Sequence, residues 1–511
     1  MILVGLTFCA ACVLSLMLVP LVARRCRAYG LVDHPDGHRK LHTQPAALAG
    51  GIASFIAVVL VVVAAAALNP QLARAFERES LFHVGLATSA LVLLLTGVVD
   101  DLVGLRGRQK LAGQILSASI LMASGLMISR VQLLGHVLDL GLLSAPLTLL
   151  WLLGAINAVN LLDGINGLAA TLGITSAGAL ALMSQFGGHP AEAVIAAALA
   201  GSLLGFLRYN FPKATVFLGD AGSMLIGLMV GALSVQSSLK GPGTVLLATP
   251  VCLMAIPFFD SAAAIVRRKL TGRSIFSTDR AHLHHCLTDR FGNLAAVGVV
   301  AVGCGISAVA ALSSLWWQKE LLAVMSAVAV IVFFISTRIF GYSELRLLTT
   351  RLQSLASSMV SARRATPRDV KQSIVRLQGT REWNLLWAML TEAAGELSLQ
   401  HVELDVNAPS LREGYHAKWE SATRIADEKL WRFEMPLIAV GHRVGHIRIS
   451  AARTSSAAST EVGRLHDLLD ELEDRLARML RDAAMPAVAP AALNHDDVVE
   501  SAVIAPGALS H

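Results

Sequence analysis

The sequence predicts an all-α polytopic membrane protein with about eleven transmembrane helices and a small α+β cytosolic C-terminal domain. Of the 511 residues, 54% are hydrophobic and 15% are charged, and the mean hydropathy is +0.61. This composition is too apolar for a soluble globular protein. The apolar residues form separate runs of about 20 residues, the length that a helix needs to cross a bilayer.

The first apolar run is followed by Arg24, Arg25 and Arg27, and no basic segment precedes it. Because a signal peptide begins with a basic segment, we expect a retained span with its N-terminus outside. The predicted spans cover residues 2–23, 46–68, 80–99, 109–129, 143–160, 167–186, 190–207, 222–238, 243–266, 292–315 and 320–338.

Arginine and lysine are distributed unevenly between the loops on the two sides of the predicted membrane. One set of loops holds Arg24, Arg25, Arg27, Arg39, Lys40, Arg106, Arg108, Lys110, Arg208, Lys213, Arg267, Arg268, Lys269, Arg273, Arg280 and Arg290. The opposite loops hold Arg74, Arg78, Arg130, Lys240 and Lys319. Cytosolic loops carry the excess of basic residues, so the first set is expected in the cytosol. The net charge of +6 thus reflects topology and does not indicate a nucleic-acid partner.

The composition becomes polar after the last predicted span, which indicates a second domain. We assign residues 1–340 to a transmembrane domain, 341–382 to a basic linker, 383–485 to a soluble α+β domain and 486–511 to a disordered tail. In the soluble part, helix-like WNLLWAMLTEAAGEL precedes strand-like HVELDV, WRFEMPLIAV and HRVGHIRIS. The sequence of this domain offers no paired acid and base, so we expect it to bind a regulatory protein or ligand.

Four aspartates lie at the cytosolic ends of predicted spans. Asp100 and Asp101 end the third span. Asp163 ends the fifth, and Asp220 lies between the seventh and the eighth. A single carboxylate there can be a solvated helix end, but adjacent carboxylates repel each other and favour a nearby cation. Lys110, at the start of the next span, or a bound Mg²⁺ would supply that charge.

Two further motifs place polar groups beside these acids. NAVNLLDGING puts Asn157, Asn160 and Asp163 on one face of a helix, since residues three apart differ by about 60°. VFLGDAGSMLIG puts Asp220 between glycines before an apolar helix, where phosphate and Mg²⁺ bind readily. The alternatives are hydrogen bonds between helices for the first motif and a plain capping turn for the second.

The loop RRKLTGRSIFSTDRAHLHHCLTDR combines histidine with arginine. His282, His284 and His285 follow Arg273 in a composition that is typical of anion-binding sites. A zinc site that includes Cys286 and a merely positive cytosolic loop are the alternatives. Acids suited to Mg²⁺ and cations suited to phosphate, on one membrane face, indicate phosphoryl transfer between a soluble nucleotide and a lipid.

At these residues the sequence resembles the polyprenyl-phosphate N-acetylhexosamine-1-phosphate transferases. It resembles in particular the bacterial undecaprenyl-phosphate N-acetylglucosaminyl 1-phosphate transferase branch, which starts O-antigen and other cell-envelope polysaccharides. The resemblance spans about residues 29–345 and consists of DHPDGHRKLHTQPAALAGG, VVDDLVGLRGRQKLAGQ, NAVNLLDGINGLA, VFLGDAGSMLIG and RAHLHHCL.

The resemblance implies transfer of N-acetylhexosamine 1-phosphate, in the first place GlcNAc 1-phosphate, from a UDP-N-acetylhexosamine to polyprenyl phosphate with release of UMP. The implied cofactor is Mg²⁺, with Mn²⁺ as a substitute. The implied catalytic residues are Asp100, Asp101, Asp163 and His284; the substrate-binding residues are Lys110, Asn157, Asn160, Arg273, His282 and His285; the metal ligands are Asp220 and Asp101.

One position departs from the family pattern. Asn166 stands where many relatives carry a second aspartate, so no metal or base role is expected there. A transporter of an anionic substrate is the main functional alternative, but its site would lie near the midplane of the bilayer. The second alternative is a membrane-anchored sensor that acts through its C-terminal domain. The sequence is compatible with a homodimer in the inner membrane.

Overall fold

The computed structural model divides the chain into two units, Met1–Arg364 and Ala365–His511. It describes residues 1–33, 45–133, 135–241, 244–246, 248–270, 282–346, 348–349, 352, 371–378, 383–397, 399–408, 413–421, 430–439 and 442–452. The helices of the first unit are α1 Ile2–Ala28, α2 Gly50–Leu68, α3 Pro70–Arg78, α4 Ser80–Val103, α5 Gly107–Ala123, α6 Ser144–Leu162, α7 Leu168–Gly187, α8 Pro190–Asn210, α9 Gly219–Ser237, α10 Ala248–Leu253, α11 Ala255–Leu270, α12 Leu283–Trp316 and α13 Glu320–Ser336.

Within the described residues, seven helices are long and apolar enough to cross a membrane, namely α1, α2, α4, α6, α7, α8 and α12. The first unit is therefore a multi-pass membrane protein, but the expected count of about eleven spans is not reproduced. Helices α5 and α13 have only 17 residues each. The predicted span 243–266 is divided between α10 and α11. Pro257 explains the interruption, because it has no amide to donate to the carbonyl of Leu253.

Short strands, which the all-α prediction for the membrane part did not include, join the loops at both ends of the bundle. Strands β1 (Val32–Asp33), β2 (Ala46–Leu48) and β5 (Val216–Phe217) form a sheet in the order β1-β2-β5. At the other end, β3 (Arg130–Leu133), β4 (His136–Asp139), β6 (Leu239–Gly241) and β7 (Thr244–Leu246) pair in the order β4-β3-β7-β6. Pairing satisfies backbone groups that would otherwise lie unbonded beside an apolar core.

Helix α9 lies at the centre of the bundle and is buried along almost its whole length. Glycines allow its neighbours to approach it closely. A Cβ atom on Gly97 of α4 would lie 2.3 Å from Cα of Ala221. A Cβ on Gly51 of α2 would lie 2.4 Å from the amide nitrogen of Gly222. Backbone contact of this kind needs residues without side chains, so the first turn of α9 has a fixed position between α2 and α4.

The second unit contains a helix and a five-stranded antiparallel sheet. Helix α14 is Trp383–Glu396, and the strands are β8 Lys371–Gln378, β9 Leu399–Ala408, β10 Glu413–Glu420, β11 Leu430–Ala439 and β12 His442–Ala452, in the order β11-β12-β9-β10-β8. Trp383, Trp387 and Leu390 of the helix pack in one core with Val402 and Leu404 of the sheet.

Strand β8 corrects the predicted boundary of the linker. The segment KQSIVRLQ was assigned to the linker because it is polar, yet it pairs with β10 as an edge strand of the sheet. Polar and charged residues are usual on edge strands, which are exposed along one side. The segment LHDLLDELEDRLARML, for which the sequence predicts a closing amphipathic helix, and the tail 486–511 lie outside the described residues.

The glycine contact between α4 and α9 makes a testable prediction. Gly97→Ala should destabilise the purified protein by about 1–3 kcal/mol, because the new methyl group meets the backbone of α9. Gly178→Ala in α7 is the matched control: a Cβ there has no atom within 4 Å, so it should be neutral or stabilising by up to about 1 kcal/mol. Thermal unfolding in detergent measures both. Equal unfolding temperatures for the two variants would contradict the contact.

Candidate active site

Lys110 joins two of the predicted acids. Its Nζ lies 2.9 Å from Oδ2 of Asp100 and 2.9 Å from Oδ2 of Asp220. Gly104, with φ of 67°, ends α4 in the left-handed region and turns the chain so that α5 begins beside α4. The amide of Leu105 donates to Oδ1 of Asp100 at 2.7 Å. Asp100 is therefore held in one orientation, with a basic group between it and Asp220.

Asp101 contacts the first turn of α9. Its Oδ1 accepts a hydrogen bond from the amide of Asp220 at 2.9 Å, and its Oδ2 accepts one from the amide of Ala221 at 3.4 Å. Amides at the start of a helix have no acceptor within the helix, and a negative charge there is favourable. A Cβ on Gly219 would lie 2.6 Å from Oδ2 of Asp101, so only glycine leaves room for this contact. Asp101 thus positions Asp220.

The two asparagines of the NAVNLLDGING motif make different contacts. Asn160 donates from Nδ2 to Oδ1 of Asp220 at 2.5 Å and to Oγ of Ser223 at 2.9 Å. Asn157 instead exchanges hydrogen bonds with the buried Gln114, at 2.8 Å and 3.2 Å. Asn160 therefore belongs to the acidic cluster. Asn157 shows the interhelical hydrogen bonding that the sequence left open, and its role in substrate binding stays a prediction.

Asp163 follows α6 and completes the cluster. Within the described part of the chain its carboxylate has no hydrogen-bond partner. Burial, and then the negative charges of Asp220 and Asp101, raise the pKa of Asp163 to about 8. Four carboxylates share this region, and Lys110 offsets one negative charge. A divalent cation between Asp163 and Asp220 would fit this donor set, since hard cations bind anionic oxygen. We call the side of the bundle that carries this cluster the acidic face.

The histidines at the start of α12 reach the same face. A Cβ on Gly164 would lie 2.0 Å from Nε2 of His284, so the imidazole packs directly on the backbone that follows Asp163. His284 is 3% exposed, and its Nδ1 is buried with no partner among the described residues. The rings of His282 and His284 are parallel, with centroids 5.9 Å apart. The ring of His285 lies 4.1 Å from that of His284.

Sequence reasoning missed Asp260, which holds the histidine segment in place. Asp260 is fully buried in α11; its Oδ2 lies 2.9 Å from Nδ1 of His282, and its Oδ1 accepts from the amide of Leu283 at 2.7 Å. Arg268 donates to Nε2 of His282 at 3.4 Å, so the proton of a neutral His282 is on Nδ1. An aspartate inside the apolar run AIPFFDSAAAIV was the available signal, because charges within spans are usually functional.

A second buried ion pair was also missed. Arg267 of α11 pairs with Glu344, and the side chains of both are buried. The sequence predicts Arg267 in a cytosolic loop and Glu344 in the linker. No local pattern relates two residues so far apart in the chain. The predicted substrate-binding residue Arg273 lies outside the described residues.

Together the described residues place carboxylates suited to a divalent cation beside imidazoles suited to an anion. The helices α4, α5, α6, α9 and α12 bring seven of the predicted site residues to the acidic face. These residues are Asp100, Asp101, Lys110, Asn160, Asp163, Asp220 and His284. Their chemistry supports binding of a phosphorylated substrate together with a metal ion.

The sequence is similar to a known family and to several of its members. Residues 83–238 match the glycosyl transferase family 4. The chain is 36% identical over 336 residues to the decaprenyl-phosphate N-acetylglucosaminephosphotransferase of Mycolicibacterium smegmatis. This match covers 61% of this chain and 82% of that relative. It is 32% identical to the probable undecaprenyl-phosphate N-acetylglucosaminyl 1-phosphate transferase of Bacillus subtilis, over 56% of this chain and 78% of the relative.

A more distant similarity is to the phospho-N-acetylmuramoyl-pentapeptide-transferase of Shouchella clausii, with 30% identity over 55% of this chain and 86% of the relative. The family match over residues 83–238 contains the four aspartates, Lys110 and Asn160 of the acidic face. The chain therefore belongs to the family of polyprenyl-phosphate N-acetylglucosamine-1-phosphate transferases.

Proposed function

We propose that the protein transfers GlcNAc 1-phosphate from UDP-GlcNAc to undecaprenyl phosphate or a related polyprenyl phosphate, at the cytosolic face of the inner membrane. The observation that carries this proposal is the bridge from Asp100 through Lys110 to Asp220, together with His284, which packs on Gly164 directly after Asp163. The names of the similar transferases support the same acceptor and sugar. The product would start a cell-envelope polysaccharide such as the O-antigen of lipopolysaccharide.

In the proposed reaction, an oxygen of the lipid phosphate attacks the β-phosphorus of UDP-GlcNAc. The bond between the β-phosphorus and the bridging oxygen breaks, and UMP leaves with the electron pair. A phosphate monoester has its second pKa near 6, so the acceptor is largely dianionic at neutral pH. Asp100, held by Lys110 and by the amide of Leu105, would orient the acceptor and remove the proton from its monoanionic form.

Asp220 and Asp163 are the groups that would hold Mg²⁺, or Mn²⁺ in its place. The bound ion would polarise a phosphoryl oxygen and offset the charge of the diphosphate. Asp101 fixes the first turn of α9, and Asn160 orients the carboxylate of Asp220. We retain Asp101 as a second candidate ligand, although both its oxygens accept hydrogen bonds from the amides of α9.

The histidines would bind the sugar diphosphate. The buried Nδ1 of His284 has no hydrogen-bond partner among the described residues, and an unsatisfied buried polar atom costs about 1–3 kcal/mol. A hydrogen bond to a phosphate oxygen would remove that cost. Asp260 and Arg268 hold the ring of His282 parallel to that of His284. His285 and Arg273 would complete this basic group.

The transporter alternative is disfavoured on two grounds. The polar motifs lie at the ends of helices, whereas transporters bind their substrates near the midplane of the bilayer between repeated halves. The relatives are named as transferases.

The proposed activity has a direct test. Membranes that contain the protein should release UMP from radiolabelled UDP-GlcNAc only when polyprenyl phosphate and Mg²⁺ are both supplied. EDTA should stop the release, and added Mg²⁺ should restore it. Release of UMP without the lipid would contradict the proposal, and uptake of intact UDP-GlcNAc into vesicles would favour the transporter.

Asp220→Asn should lower the turnover number at least about 100-fold, or about 3 kcal/mol of activation free energy, because the amide cannot replace an anionic metal ligand. Asn166→Asp should have a mild effect. The matched control is Asp139→Asn on the opposite side of the bundle, where the carboxylate is exposed and pairs with Arg130 at 3.3 Å. A well-inserted Asp220→Asn protein with near-normal, Mg²⁺-dependent rates would make Asp220 structural.

Truncation tests whether the membrane unit suffices for catalysis. A chain that ends at residue 364 should retain transferase activity in membranes, because it keeps every candidate site residue. A chain that ends at residue 341 should be destabilised by about 3–5 kcal/mol, since it loses Glu344, the carboxylate that pairs with the buried Arg267. Thermal unfolding and UMP release distinguish the two. Loss of turnover by the well-folded longer chain would assign a catalytic role to the C-terminal unit.

A further inference from the structure

A second polar cluster lies at the opposite ends of the helices that form the active site. Glu79 immediately precedes α4, whereas Asp100 lies near its other end. At a rise of 1.5 Å per residue, about 30 Å of helix separates them. His189 and Glu192 lie at the start of α8, on the same side as Glu79. This cluster is therefore separate from the proposed Mg²⁺ site.

The three side chains converge on one point. One potential ligand atom from each of Glu79, His189 and Glu192 lies within 4.8 Å of the other two. The residues come from two distant parts of the sequence, so their proximity does not follow from helical spacing. An imidazole and two carboxylates form a donor set that occurs in divalent-metal sites.

Neighbouring groups hold each carboxylate by one oxygen. Oε1 of Glu192, which is 2% exposed, lies 3.2 Å from Nε2 of His83. His83 also contacts the carbonyl of Phe76 through Nδ1 at 3.3 Å. These two contacts fix the ring of His83, which in turn orients the carboxylate of Glu192. Oε2 of Glu79 accepts from Nε2 of Gln236 at 2.5 Å.

The remaining atoms of Glu79 and His189 have no competing bonds. Oε1 of Glu79 and the ring nitrogens of His189 form no hydrogen bond with any described residue. Metal-binding carboxylates are commonly oriented by an outer partner on one oxygen. The contact of His83 with Glu192 accounts for those two residues alone. It leaves the convergence of Glu79 and His189 without a function.

We propose that Glu79, His189 and Glu192 bind one divalent transition-metal ion, of the Zn²⁺ class, on the face opposite the active site. The imidazole favours Zn²⁺ over Mg²⁺, which prefers oxygen ligands alone. The ion joins the start of α4 to the start of α8, and Gln236 extends the connection to the end of α9. The ion therefore stabilises the end of the bundle that lies away from the aspartates of the active site.

The experiment uses the full-length protein, purified in detergent and freed of metal with a chelator. Zn²⁺ is titrated in the presence of excess Mg²⁺, which occupies the proposed catalytic site, and the zinc bound per chain is measured by calorimetry and elemental analysis. Thermal unfolding with and without Zn²⁺ is the second readout. The wild-type protein should bind one Zn²⁺ and unfold several degrees higher with it.

His189→Ala and Glu79→Gln should each weaken zinc binding at least tenfold and remove the thermal shift. Both positions avoid the buried Glu192, whose replacement would also break its pair with His83. His136→Ala removes an exposed histidine on the same face and should bind Zn²⁺ like the wild type. Asp220→Asn should also bind Zn²⁺ normally, even where transferase activity is lost.

Three outcomes would overturn the proposal: no saturable zinc binding by the wild type, unchanged binding in both cluster variants, or loss of binding in Asp220→Asn. The last would place the zinc at the acids of the active site. Unchanged binding in both cluster variants would assign it to other groups, such as the six free cysteines.

Discussion

The contact between Asp101 and the first turn of α9 is the interaction on which the candidate site depends. Helix α9 is buried, so its first amides have little access to water, and the carboxylate of Asp101 supplies acceptors for two of them. Gly97 and Gly51 then allow α4 and α2 to touch the α9 backbone. Because helix, cap and packing are fixed together, the side chain of Asp220 has one direction available, toward Lys110 and Asn160.

The charges around Asp220 support the proposed cation site. Lys110 bridges Asp100 and Asp220, whereas Asp163 has no such partner among the described residues. Its pKa is raised by burial first and then by the negative charges of Asp220 and Asp101. A protein selected only for stability would pair or omit such a group. Among the histidines, Nδ1 of His284 is the corresponding unsatisfied group, since it has no hydrogen-bond partner in the described part of the chain. A bound metal ion would balance the charge of Asp163, and a diphosphate would supply a partner for His284.

Much of the site could be predicted from the sequence because its functional groups belong to short local motifs. Asp100, Asp101, Asp163 and Asp220 stand at the ends of apolar runs, and the structure brings them together with Lys110 and His284. Asp260 and the pair of Arg267 with Glu344 escaped prediction because their partners are distant in sequence. Two features of the fold were not predicted for another reason, namely the division of the predicted span 243–266 and the strand β8. Periodicity and hydropathy do not resolve a single proline break, and polar edge strands resemble linkers.

The position of the site at the end of the bundle follows from the solvation of charge. A charged side chain near the centre of a bilayer costs about 2.5–3.5 kcal/mol or more, whereas at the boundary water and helix termini share that cost. A reaction between a lipid phosphate and a soluble nucleotide also has to occur where the two phases meet. Asp260 shows what burial within the protein requires: it is fully buried and is balanced by contacts with His282 and the amide of Leu283. The groups proposed to act on substrate can therefore lie at the ends of the helices, while the buried charge that positions the histidines is balanced within the protein.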